Sequence, residues 1–143
     1  QAIDSQLGIN RVQEFLNKIE YGNQTTSSNL DLYWSDFSLK ISPLEQVTLL
    51  KKFNTNEFHL NSQNVFSVKN AIKIASTPNG NFYGKTGTGR VNGQDINGWF
   101  IGYVETSDNS YYFATNIQSD SNATGKKAFE ITSDILKKLH IWN

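Results

Sequence analysis

Cysteine and methionine are both absent from the 143 residues. Without cysteine there is no disulfide and no thiol nucleophile, and the chain is compatible with an oxidising compartment without being specific to one. The two histidines, His59 and His140, lie far apart, so a zinc site has almost no ligands to draw on. An excess of charge of either sign is lacking too: 13 Lys and Arg balance 13 Asp and Glu. No global field therefore draws the chain to nucleic acid or to an anionic membrane, and any electrostatic role is local. No apolar run approaches the length of a bilayer span, and nothing at the start has the pattern of a signal peptide. Internal repeats and long charge runs are missing, and the one low-complexity stretch is 24–29. The missing methionine, together with Gln1-Ala2-Ile3-Asp4 reading as the middle of a helix, sets the expectation that the chain begins inside a larger protein.

What is present suffices for a core: 37% hydrophobic and 13% aromatic residues over the length of one small domain. Ile3 and Leu7 suggest the end of a helix stopped near Gly8. A new helix is expected from Asn10 as N-cap, with Gln13 three residues on, and Ile9, Val12, Phe15, Leu16 and Ile19 repeat at helical spacing. Tyr21-Gly22-Asn23 opens a polar loop that ends in the aromatic cluster 30–34. Ser42-Pro43-Leu44-Glu45 is a strong helix start: Ser as cap, Pro at the first position, Glu closing the capping box. Residues 54–61 read as a connector, and Ser62 caps a third helix whose apolar side includes Val65, Phe66, Val68, Ile72 and Ile74.

From Thr77-Pro78-Asn79-Gly80 onward the period becomes that of strands. Three are expected, at 82–88, 98–105 and 111–117, forming an antiparallel meander with a hairpin turn at Ser107-Asp108-Asn109. A final helix runs through Ala128, Phe129, Ile131, Ile135, Leu136 and Leu139 after a polar loop containing Gly125. The expected class is α+β, an antiparallel sheet flanked by helices: helices over 1–76, the meander over 81–118 and the last helix over 124–140. Three strands are few for a domain, so further strands from an N-terminal part of the same domain are expected to complete the sheet.

Tyr83-Gly84-Lys85-Thr86-Gly87-Thr88-Gly89 organises the chemistry. A strand that carries Lys-Thr-Gly at a sheet edge presents a cation, a hydroxyl and backbone N–H groups to a bound carbonyl or carboxylate, and its glycines admit the ligand close to the backbone. That is the outline of an acyl-transfer site. Three common residues recur by chance, and a strand lysine is usually only a solvated charge. Tyr21-Gly22-Asn23 taken alone reads as a helix-ending turn, and Trp34 taken alone as a core tryptophan.

The order of the motifs is more specific than any one of them. Tyr21-Gly22-Asn23, Tyr33-Trp34, residues 38–46, Lys85-Thr86-Gly87 and Gly98-Trp99-Phe100-Ile101-Gly102 together resemble the C-terminal half of the class D serine β-lactamases. They equally resemble the β-lactam sensor domains of bacterial signal transducers, which share that penicillin-recognising serine enzyme fold. The resemblance implies that Lys85 polarises the site and binds the substrate carboxylate, that Thr86 donates a hydroxyl to it, and that Gly87 belongs to the same binding wall. It implies that the Thr88 backbone N–H is half of an oxyanion hole, where one fixed donor is worth about 3 kcal/mol. Trp34 falls where the family has the tryptophan whose indole N–H holds a carboxylated lysine, since a buried anion needs a donor. Tyr21 and Asn23 belong to a motif with a structural role at the cleft.

Two departures accompany the resemblance. The family's Ser-x-x-Lys and Ser-x-Val motifs are absent, so nucleophile and base lysine must come from residues outside this chain. The family's substrate-binding arginine on the last helix is replaced by Ala128, with Lys126, Lys127 or Arg90 as substitutes and plain surface charge as the alternative reading of all three. The resemblance thus implies a bacterial, extracytoplasmic protein whose partners are a β-lactam antibiotic and the N-terminal part of the same domain. It implies no nucleic acid, no membrane contact by these residues, no metal, and no cofactor beyond a carbon dioxide-derived carbamate on a lysine outside the chain. Hydrolysis through an acyl-serine is placed first among its functions. A sensor acylated but not turned over comes second, and an inert relative third. Trp34-Ser35 leans to the sensor and Ala114-Thr115-Asn116-Ile117 to the enzyme.

Overall fold

The computed structural model describes residues 6–26 and 38–142. The chain divides into two compact units, Gln1–Leu49 and Leu50–Asn143.

In the first unit, α1 (Ile9–Lys18) starts one residue before the expected cap. Gly8 occupies the N-cap position with φ of 80°, a conformation open to glycine, and Asn10 lies inside the helix. Gln13 is therefore free of the capping box expected for it and ties down the following loop instead. Its Nε2 donates to Asn17 Oδ1 at 2.7 Å and Gln24 O at 2.5 Å, and its Oε1 accepts from Thr26 Oγ1 at 2.5 Å. Val12 and Leu16, four apart, form the buried stripe. The boundary between units falls within α2 (Pro43–Asn54). Its capping box forms as expected: Glu45 N donates to Ser42 Oγ at 3.2 Å and Ser42 N to Glu45 Oε2 at 2.8 Å. Hydrogen bonding to the carboxylate from the Ser42 side chain first, and then from the Ser42 backbone N–H, holds the Glu45 carboxyl below its ordinary pKa.

In the second unit, α3 (Ser62–Ala71) is capped by Asn61 rather than Ser62. The Asn61 Oδ1 accepts from Gln63 N and Asn64 N, and Ser62 becomes the first helical residue. Among the described residues the sheet has four strands where three were expected: β1 (Lys73–Thr77), β2 (Gly80–Val91), β3 (Gln94–Thr106) and β4 (Ser110–Gln118), antiparallel in the order β1-β2-β3-β4. Ile72 and Ile74 were expected on a helix. The helix instead ends at Ala71, because the segment Lys73–Thr77, with β-branched Ile74 and Thr77, finds a partner in β2 across the two-residue turn Pro78-Asn79. The other two hairpins turn at Asn92-Gly93, with φ of 48° and 78° as a type I′ turn requires, and at Ser107-Asp108-Asn109.

α4 (Gly125–Lys138) covers one face of this sheet. Gly125, Ala128, Thr132 and Leu136 face inward, and Thr132 Oγ1 is satisfied by Ala128 O at 2.8 Å and Thr115 Oγ1 at 2.7 Å. Phe82 is the centre of the core. Its ring meets Phe100 edge-on at 6.0 Å, stacks on Phe129 at 6.3 Å and lies 5.5 Å from Trp142, which the chain folds back after α4. Such aromatic pairs each contribute about 0.5–1.5 kcal/mol beyond burial. The opposite face carries Tyr83 stacked on Tyr103 at 4.6 Å, with Tyr112 at 5.7 Å from Tyr103. Asn54 Nδ2 donates there to Tyr112 OH and Glu105 Oε1.

Candidate functional site

The expected Lys-Thr-Gly segment lies on β2, where the strand changes character. Alternation places Phe82, Gly84, Thr86 and Thr88 on the α4 side, and Tyr83, Lys85 and Gly87 on the side of Tyr103. β3 accompanies β2 throughout, in register from Gly80↔Thr106 to Gly89↔Asn97 without a break. β1 accompanies it only through the pairs Thr77↔Gly80, Ser76↔Asn81, Ala75↔Phe82 and Lys73↔Tyr83. A bulge between Lys73 and Ala75 turns β1 aside, and the last contact on that edge is Gly84 N donating to Ile72 O at 2.8 Å. Among the described residues, β2 beyond Gly84 pairs with β3 alone.

The open edge has a defined chemistry. A strand residue turns its N–H and C=O to one neighbour and the next residue turns its own to the other. Since Gly84 points toward β1, Thr86 and Thr88 turn their N–H and C=O groups to the same side, which no described residue pairs. The Lys85 ammonium curls to this edge and donates to Thr86 O at 2.6 Å. Residues 85–88 are all exposed, whereas Phe82, Tyr83 and Gly84 are buried. A cation, a hydroxyl-bearing side chain, a glycine and an outward amide thus share one strand edge, which can receive an extended polar ligand in the manner of an added strand.

α4 supports this edge from behind. Gly125 N donates to Thr88 Oγ1 at 2.9 Å, and a Cβ on Gly125 would stand 2.6 Å from Gly87 O and 2.9 Å from Thr86 Cβ. The helix approaches the triplet this closely only because its first residue has no side chain. The sequence reading had placed Gly125 in a loop; a glycine directly after the N-cap Thr124, where helix propensity disfavours it, was the available signal of a close approach.

The cations proposed to replace the missing arginine are placed differently from one another. Ala128 is fully buried in the core cluster, in a place with no room for a long charged side chain. Arg90 Nε is held by Asp95 Oδ1 at 2.7 Å across the hairpin, and the carboxylate raises the guanidinium pKa. Lys126 and Lys127 occupy the first turn of α4, which carries no acidic residue, and Lys126 Nζ lies 3.9 Å from Glu130 Oε1.

Tyr21 and Asn23 belong to the first unit. Asn23 splints the chain: its Oδ1 accepts from Lys40 N at 2.9 Å and Thr25 N at 3.3 Å, while its Nδ2 donates to Ser38 O at 2.7 Å. Tyr21 OH donates to Gln46 Oε1 at 3.2 Å. Trp34 and the aromatic cluster 30–34 lie outside the described residues. A shallow cleft of about 580 Å³ lies at the tip of the β2–β3 hairpin, between Val91, Ile96 and Gln118, and none of the expected site residues lines it. Among the described residues no group of three or more His, Cys, Asp or Glu could hold a metal ion, and no helix is long and apolar enough to cross a membrane.

An antiparallel sheet backed by a C-terminal helix, with Lys-Thr-Gly on the open edge of its strand, defines one wall of the penicillin-recognising serine enzyme fold. The chain belongs to the penicillin binding protein transpeptidase domain family, which matches residues 1–137. It is 46% identical over 142 residues to the regulatory protein BlaR1 of Bacillus licheniformis, covering 99% of this chain and 24% of that protein. Its fold matches the solved C-terminal domain of the Bacillus licheniformis BlaR penicillin-receptor with a TM-score of 0.93 and 44% identity, covering 99% of this chain and 57% of that one. A class D β-lactamase from Bacillus subtilis matches with a TM-score of 0.88 and 36% identity, covering 97% and 56%. The chain therefore spans about a quarter of the curated relative and somewhat over half of the solved domains.

Proposed function

We propose that this chain is the C-terminal part of an extracytoplasmic β-lactam sensor domain in a bacterial signal transducer. A serine from the N-terminal part of the same domain attacks the lactam carbonyl, the C–N bond opens, the ring nitrogen takes the proton, and the acyl adduct persists as the signal. The observation that carries β-lactam recognition is the open β2 edge, with the Lys85 ammonium, the Thr86 side chain and the outward Thr88 amide at Gly87. Lys85 and Thr86 bind the ligand carboxylate, Gly87 leaves the backbone accessible, and the Thr88 N–H receives the oxyanion. Lys126 and Lys127 add positive charge beside them. Tyr21 and Asn23 have a structural role rather than a chemical step, and Trp34 holds the carboxylated lysine that the other part of the domain contributes.

The order of the two leading readings is reversed from that expected of the sequence. Identity of 46% to a regulatory protein and 44% to a penicillin-receptor domain, against 36% to a class D β-lactamase, supports the sensor. The kinship with class D enzymes keeps hydrolysis as the second reading, and both use the same wall. The complete protein incubated with a chromogenic β-lactam and a fluorescent penicillin separates them. A stoichiometric burst with a long-lived labelled band is expected. Sustained turnover would transfer the assignment to the enzyme, and no labelling at all would remove both.

A further inference from the structure

α4 does more than cover the sheet. Two of the four amides that every helix leaves unpaired at its start are answered here by two different threonines. Lys127 N goes to the N-cap Thr124 Oγ1 at 3.1 Å, a local contact within the helix start. Gly125 N goes to Thr88 Oγ1 at 2.9 Å, a partner 37 residues away on β2. Thr88 is therefore held from both sides. Its side chain is tied to α4, and its backbone sits in the unbroken β2–β3 register opposite Gly98.

Close packing makes this tie stiff. A Cβ at Gly125 would stand 2.6 Å from Gly87 O, 2.9 Å from Gly87 N and 2.9 Å from Thr86 Cβ, so the helix start lies directly on the triplet. One residue along β3, a Cβ at Gly98 would stand 2.3 Å from Thr124 O. The two glycines let the N-cap segment of α4 lie against adjacent positions of β2 and β3 with no side chain between. Among the described residues the outer edge of β2 is unpaired at this point, and none of them on that side fixes the direction of the Thr88 amide.

We infer that the Thr88 hydroxyl is a positioning group: by accepting from Gly125 N it fixes the backbone amide of Thr88 in the direction that acylation requires. This rests on the reading of that amide as an oxyanion donor. A donor aimed at a developing charge acts in the transition state rather than in the initial complex, so its misdirection lowers the acylation rate constant and leaves the binding of intact penicillin unchanged.

The test is Thr88→Val in the complete protein. It keeps the shape of the side chain and removes the acceptor. Stopped-flow acylation by a fluorescent penicillin is expected to give a saturating rate constant about tenfold lower with an unchanged half-saturation concentration, since small misplacements at a reacting centre are costly. Thr88→Ser, which restores the hydroxyl, is expected to recover most of the rate. Gly125→Ala, which keeps the hydroxyl but displaces the donor, is expected to reproduce the valine defect, and combining the two adds little. If Thr88→Val does not fold, Gly125→Ala is read in its place. An unchanged rate in Thr88→Val, a serine variant no better than the valine one, or a defect confined to half-saturation would each overturn the inference. A wild type that penicillin does not acylate removes the sensor reading along with it, whereas an acylated wild type indifferent to these changes removes this inference alone.

Discussion

Residues 80–83 and 85–88 are two halves of one strand: among the described residues, the first half has neighbours on both edges and the second on one. The closed half carries Phe82 and Tyr83, both buried, one in the aromatic core under α4 and the other against Tyr103. The open half carries Lys85, Thr86, Gly87 and Thr88, all exposed. The bulge in β1 between Lys73 and Ala75 marks the change. Because β3 keeps residues 80–89 in one register, rigidity built by the aromatic half is delivered to the exposed half. An unpaired strand edge is ordinarily a liability for aggregation. Here a long cationic side chain and a glycine occupy the edge that no described residue pairs.

This division of labour can be broken. Phe82→Ala should have the largest effect, a loss of about 3–5 kcal/mol in urea denaturation, because it empties the centre of the ring cluster. A change under about 1 kcal/mol would show that the closed half is not the support of the open one. Lys85→Ala should do the converse. Its stability should stay within about 0.5 kcal/mol of the parent, as for other exposed positions, while acylation by a fluorescent penicillin falls about hundredfold. An unaltered acylation rate would remove Lys85 from the site.

Ser42→Ala tests a stabilising feature remote in sequence from β2. Loss of the capping box should lower stability by about 1 kcal/mol and leave acylation kinetics as they were. The smallest effect is expected at Tyr103, whose buried hydroxyl has no hydrogen-bond partner among the described residues. Tyr103→Phe should be neutral to slightly stabilising at pH 7. Burial, then the charge of Glu105, then Tyr83 and Tyr112, push the Tyr103 phenol above its ordinary value, and burial does the same to Tyr83. The unfolded chain therefore ionises first, from about pH 10, while the folded chain keeps its protons. Stability is fully present below that pH and declines above it. Thermal melts between pH 9 and 11, as order-of-magnitude bounds on this window, should show a shallower decline for Tyr103→Phe than for the parent.

Much of this was legible because the signals are local. The Ser42-Pro43-Leu44-Glu45 start, the turn residues at 107–109, and the alternation over β2, β3 and β4 depend on residues within a few positions of one another. The misreadings arose where a distant partner outbid a local preference. Ile72 and Ile74 fit a helical face as well as a strand, and the pairing of β1 with β2 across Pro78-Asn79 decided between them. Asn10 and Ser62 are good caps by type, but Gly8 takes the first position by its backbone conformation and Asn61 the second through its side-chain bonds to Gln63 N and Asn64 N. In the candidate site, Lys85, Thr86, Gly87 and Thr88 were visible as a motif, while the contribution of Gly125 was not, since its partner lies 37 residues upstream.

The sequence by itself determined that the chain is α+β, which strand bears the Lys-Thr-Gly triplet, and that no nucleophile of the expected motif accompanies it. Those conclusions rest on composition, period and the order of residues, which need no third dimension. The tertiary structure alone decided that β1 leaves β2 at Gly84, that the amides of Thr86 and Thr88 face the side that no described residue pairs, and that α4 grips Thr88 through Gly125. The physical reason is that the edge of a strand, and the direction of the hydrogen-bonding groups along it, are properties of its neighbours, which are brought there by packing over long stretches of chain.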